Sequence, residues 1–213
     1  GPLPIAKPAT EYGGDAVEKP KLARAEFVDA VPLPDRIGNL YVVGLLKNTG
    51  EAVLGHQRVE ATLWGPDHKK LAVGAGFAPT MNLLPGEEIP VRILVQRAPT
   101  YESITYHVAP EPLRYGTAQR FSLEVTSPKL ELQQHGGYRL VGTIHNKDKV
   151  DLQHVRIVAL LLSADKKIVG MQEGFAPQQR LPPSDSSPFT ILFHQQNGTP
   201  KSVRLYTSAS AVQ

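Results

Sequence analysis

Seven histidines, His56, His68, His107, His135, His145, His154 and His194, are the only raw material this 213-residue chain offers for a metal site. None stands in a His-x-His or His-x-x-x-His pair. The best pair is His145 with His194, each late in a predicted strand. If those strands are antiparallel neighbours, the two rings lie at opposite ends of the ladder, too far apart to share an ion. Asp15, Asp29, Asp35 and Asp67 are isolated, so no acidic calcium loop forms. Nucleophile elbows, Walker loops, dinucleotide-binding glycine fingerprints and His-Glu-x-x-His are all missing. With no cysteine, disulfides, thiolate metal sites and a thiol nucleophile are excluded. The expectation is a non-enzyme without metal or cofactor. Asn197-Gly-Thr199 matches a glycosylation acceptor, but Gly198 and Pro200 make a hairpin turn the better reading.

Composition narrows the partners. A net charge of +3 with scattered Lys and Arg gives no basic stripe, so nucleic acid is not expected. No apolar run approaches the ~18 residues that cross a bilayer, which leaves membrane attachment to a tether outside this sequence. The opening Gly1-Pro2, without Met, reads as a protease-cleavage scar, with a signal or anchor expected upstream. Nineteen prolines and eighteen glycines suit short strands and tight turns.

The elements that must position any surface are written twice. Leu40–Asn48 returns as Tyr138–Asn146, and Val59–Leu63 as Ile157–Leu161, both 98 residues on. Gly76-Phe-Ala-Pro79 returns as Gly174-Phe-Ala-Pro177 at the same offset. A repeat of that length is one small domain duplicated. The predicted organisation is a flexible Pro-rich linker over residues 1–23, a β-sandwich domain over 24–109, a stiff linker over 110–119, and a second sandwich over 120–213. Each domain carries six or seven short strands and no helix-period segment, hence an all-β, antiparallel sandwich. In the first, a strand at Ala25–Val31 is expected to stop at Pro32 and Pro34. Leu71–Val73 is expected to be short, and Asn48-Thr-Gly50 to turn through positive φ.

The order of strand, Gly, Asn-turn, strand ending in Leu-aromatic, lysine-bearing turn and Leu-Pro-Gly resembles the FxLYD domains of bacterial envelope proteins. Ala61-Thr-Leu-Trp-Gly65 and Ala159-Leu-Leu-Leu-Ser163 keep only the central Leu of the naming motif. The resemblance implies two tandem immunoglobulin-like (fibronectin-III-like) β-sandwiches, extracytoplasmic, tethered and non-enzymatic. It supplies no site residues.

In the repeated Gly-Phe-Ala-Pro, a structural reading has Gly supply an unusual backbone angle and Phe plug the sandwich edge. A functional one makes Phe77 and Phe175 twin anchors. The copies differ most on one face: Glu60, Thr62 and Trp64 in the first, Val158, Leu160 and Leu162 in the second. Left exposed, those three aliphatic side chains would forfeit about 5–8 kcal/mol of burial. The cover could be the first domain folding back, a second copy, another protein, or a loop of their own domain. Val158, Leu160, Leu162 and Trp64 are therefore the predicted partner-binding residues. The favoured function is a protein-interaction or scaffold module that binds a protein partner or forms a homo-oligomer through sheet faces and edges. The alternative is a carbohydrate-binding or adhesive module, which needs Trp64 and tyrosines such as Tyr101 or Tyr115 in one exposed row.

Overall fold

Alternating apolar residues bury one face of a strand; where both faces are buried, another layer must lie outside. Strand β12 (Ser186–Phe193) shows the first case, with every second residue buried. Strands β2 (Leu40–Asn48) and β9 (Leu152–Leu162) show the second, with long runs buried on both faces. They are the middle of the molecule.

The computed structural model describes residues 21–194 and 196–213, so the leader expected at 1–23 falls almost wholly outside the described residues. The fold is all-β and sandwich-like, with antiparallel pairing throughout and, among the described residues, no helix beyond a 3-10 turn at Pro66–His68. The first half comprises β1 (Ala25–Pro34), β2, β3 (Arg58–Trp64), β4 (Lys70–Phe77), β5 (Glu88–Val95) and β6 (Ser103–Val108), paired in the order β1-β2-β5-β4-β3-β6. Phe27 and Tyr106 stand on the two end strands, yet their rings are 5.1 Å apart. The sheet therefore doubles over on a core that includes Val42, Leu46, Val59, Leu63, Val91 and Ile93. The fold in the sheet lies between β4 and β5, which pair only at Ala75–Leu94. A Cβ on Gly74 would stand 2.3 Å from Leu94 O, and one on Gly76 2.1 Å from Arg92 O, so only glycine admits this approach.

The second half adds β7 (Leu123–Leu132), β8 (Tyr138–Asn146), β9, β10 (Ile168–Phe175), β11 (Arg180–Leu181), β12 and β13 (Ser202–Ala211). One sheet runs β12-β8-β7; in the other, β10, β11 and β13 all pair with β9. Leu140, Ile144, Ile157, Leu161, Phe189 and Ile191 fill the space between. Gln172 occupies the position of Gly74, and here the two sheets stay unjoined.

The duplication extends to the backbone. Asp29 and Ser127 both take positive φ, each within a bulge of the first strand of its half. His68 and Lys166, and Gly86 and Ser184, repeat positive φ in the same way. Past β5 and β12 the offset becomes 99, because Ala61 pairs with Tyr106 while Ala159 pairs with Leu205.

Four sequence expectations are corrected. Pro32 and Pro34 do not stop β1, which pairs through Pro34–Leu40; β1 is an edge strand, where a missing N–H breaks no ladder. Strand β4 is not confined to Leu71–Val73 but runs through Gly76 into Phe77. Asn48 and Gly50 are not in the positive-φ region. Asn48 is there for its buried amide, whose Nδ2 donates to Ala52 O and Leu83 O at 2.9 Å while Oδ1 accepts from Gly50 N at 3.0 Å. Asn146 repeats all three bonds with Val150, Leu181 and Asp148. Finally, the segment around Asn197 is no hairpin: it crosses from β12 in one sheet to β13 in the other.

Candidate functional site: the seam between the halves

Val158, Leu160 and Leu162 project from the outward side of β9, and they are 1%, 0% and 4% exposed. Their cover is the first half. Ile168 and Met171 of β10 extend the patch, and Val43 and Leu45 from the outer side of β2 close over it. Val28, Val31 and Leu33 of β1 and Tyr206 of β13 complete the cluster. The expected free partner face is thus an internal seam. Each fully buried aliphatic side chain contributes about 1.5–3 kcal/mol to holding it shut.

Polar groups rim the seam. Tyr206 Oη donates to Glu88 Oε2 at 2.8 Å, and Arg204 Nη1 lies 3.6 Å from the same oxygen. Burial, reinforced by the Glu88 carboxylate, pushes the Tyr206 phenol up to about 12. Arg120 spans the halves, donating from Nε to Glu87 Oε2 at 2.8 Å and from Nη1 to Asn82 Oδ1 at 2.6 Å. Burial raises the Glu87 carboxyl, but the Arg120 guanidinium and the Leu84 N–H outweigh it and hold the group below the usual range. Arg156 donates to Pro79 O across the same boundary. The connection is fastened as well. Leu113 N donates to Val53 O at 2.8 Å, and Gly55 N and the Gln57 amide donate to Glu111 O.

Trp64 does not join this cluster. It is half-buried on the first half's own outer face, and its indole N–H donates to Thr105 Oγ1 at 2.7 Å. The aromatic row needed for a flat sugar platform is not assembled: Tyr101 packs partly onto the first core, while Tyr115 stands exposed in the connection. His145 pairs with Ser186, and His194 lies beyond Phe193 at the other end of the ladder. The His145 ring is instead engaged by the Thr126 hydroxyl, 2.6 Å from Nε2.

Sequence reasoning missed what the Gly-Phe-Ala-Pro motif does. Neither Gly76 nor Gly174 has positive φ, and the phenylalanines plug nothing: Phe77 is 56% and Phe175 52% exposed. The alanines after them are the buried members, anchored by N–H bonds from Ala78 to Gln57 O and from Ala176 to Val155 O. Each ring lies against a nitrogen-rich group. The His56 ring stacks on Phe77 at 5.2 Å, with Nε2–H donating to Ala78 O, and the Arg156 guanidinium sits 5.0 Å from the Phe175 centroid. Exposed Met81 stands on the lip of a cleft of about 540 Å³ that both His56 and Phe175 line. The strand period puts Ala75 and Phe77 on one side of β4, and the glycines on the other side face β5.

No family model matches this chain, and no curated protein matches it either.

Proposed function

We propose that the chain is a tandem pair of immunoglobulin-like sandwiches of FxLYD type. It works without catalytic machinery as an interaction or scaffold module of a bacterial envelope protein. In this reading it is extracytoplasmic, reaches a membrane only through a tether, and binds a protein partner or its own copies. The observation that carries the reading is the pair of outward phenylalanines. The large apolar face of the second half is used up internally, whereas the same motif leaves Phe77 and Phe175 open beside His56 and Arg156. Exposed aromatic rings and arginine are among the residue types that anchor protein interfaces.

The test uses immobilised full chain incubated with an envelope extract, wild type beside a Phe77→Asp, Phe175→Asp double variant. The wild type should retain one defined protein, confirmed by reversing bait and prey, and the variant should lose it while melting at the same temperature. Equal retention by the variant would remove the phenylalanine surface. A monomer by light scattering that retains no protein at all would remove the interaction reading.

A further inference from the structure

A second cleft, of about 640 Å³, opens at the seam where β1, β2 and β5 meet β10 and the β7–β8 turn. Its charge is one-sided. Arg36 and Arg92 line it, with the rings of His135 and His194 beside them, and among the described residues no Asp or Glu does. Neither arginine takes part in an ion pair among the described residues.

Arg92 is the more informative of the two. It is half-buried on β5 opposite Val43, its guanidinium 5.6 Å from the Tyr41 ring centroid. Its only hydrogen bond among the described residues is a long one, 3.4 Å from Nη1 to Met171 O. A guanidinium offers five donors in a fixed fork suited to a carboxylate or phosphate, and here nearly all of them are unspent. The second half carries Thr190 at this position, so the duplicated fold does not require the arginine.

Two arginines with unspent donors in one cleft define a single chemistry. We propose that this cleft binds a small organic oxyanion, a carboxylate or a phosphate. Arg36 and Arg92 would hold the oxyanion. Tyr41 would keep the Arg92 plane in place.

Titration calorimetry on the full chain with glucuronate, glucose 6-phosphate and glucose tests this, with Arg36→Gln and Arg92→Gln alongside wild type. Glucuronate, glucose 6-phosphate or both should bind, glucose should not, and each variant should weaken binding by about tenfold or more. Whichever charged sugar binds tighter separates a carboxylate from a phosphate ligand. Amide shifts in a parallel NMR titration of wild type should centre on Gly136, Gly137 and Gln172, which keeps the proposal testable should a variant misfold. Absence of binding by both charged sugars at millimolar concentration overturns it. So does glucose binding as well as they do, undiminished affinity in both variants, or shifts centred elsewhere.

Discussion

The two halves share strand pairings, bulges and buried asparagines, and differ in which outer face is greasy. On β1 and β2 the first half carries Val28, Val31, Leu33, Val43 and Leu45; the second carries Thr126, Lys129, Glu131, Val141 and Thr143 at the corresponding positions. On the opposite sheet the bias reverses. Glu60, Thr62, Trp64, Lys70 and Val73 correspond to Val158, Leu160, Leu162, Ile168 and Met171. Each apolar face exists only in the half where it is covered. The contact is heterologous, one sheet of the first copy against the other sheet of the second. Between identical units such a contact repeats, into a ring or an open filament. Polar side chains at both free ends stop that growth, as terminal repeats do in stacked-repeat proteins.

The largest effect should come from setting Leu160→Asp against Thr62→Asp, the same position in the two halves. A carboxylate at Leu160 would be buried at the seam without a partner, costing about 3–5 kcal/mol in urea unfolding. At Thr62 it meets solvent on a half-buried strand, and the loss should be about 1 kcal/mol or less. Equal costs would break the assignment of one face as seam and the other as surface.

Much of this architecture was readable from the repeat. Strict alternation in Val59–Leu63 and the matching Ile157–Leu161 showed the shared core, and Val158, Leu160 and Leu162 showed that one copy needed a cover. The identity of the cover was not readable. Val42 to Leu46 is apolar on both sides of its strand, so Val43 and Leu45 looked like ordinary core until their counterparts Val141 and Thr143 were compared. Phe77 and Phe175 could be read from the repeated motif either as edge plugs or as twin anchors, and the motif alone did not choose. Only the approach of Gly74 and Gly76 to β5 decides which side of β4 faces out. The arginine-lined cleft was beyond reach: His135 and His194 of the second half come to Arg36 and Arg92 of the first by docking of the halves, which no local period encodes.

The asparagines sharpen the comparison from the other side, because there the halves should behave alike. Asn48→Ala or Asn146→Ala strands two carbonyls and one N–H in buried surroundings, a loss of about 2–3 kcal/mol in either half. Denaturant melts of the two variants should agree within about 0.5 kcal/mol; a wide gap would mean the copies no longer share this fastening. Phe77→Ala and Phe175→Ala should each cost about 1 kcal/mol or less, since the rings are half exposed and lose mainly their contacts with His56 and Arg156. A loss several times larger would return the motif to the core.

The smallest effect concerns the rim, where Glu87 of the first half meets Arg120 of the second. Its carboxyl titrates below its ordinary value of 4.5 in the folded protein. A depressed folded pKa adds stability that is fully present above the ordinary value and disappears as pH falls through the folded one. The pair is partly open to solvent, so screening holds the contribution at neutral pH under about 1 kcal/mol. Glu87→Gln keeps the shape and removes the charge. Wild type should exceed the variant at pH 7 in low salt, and the two unfolding curves should converge once the pH drops below the folded value. Raising the salt should narrow the gap at pH 7 as well. A gap that persists in acid would assign the effect of Glu87 to its bond with the Leu84 N–H, within the first half, and remove Arg120 from the forces that close the seam.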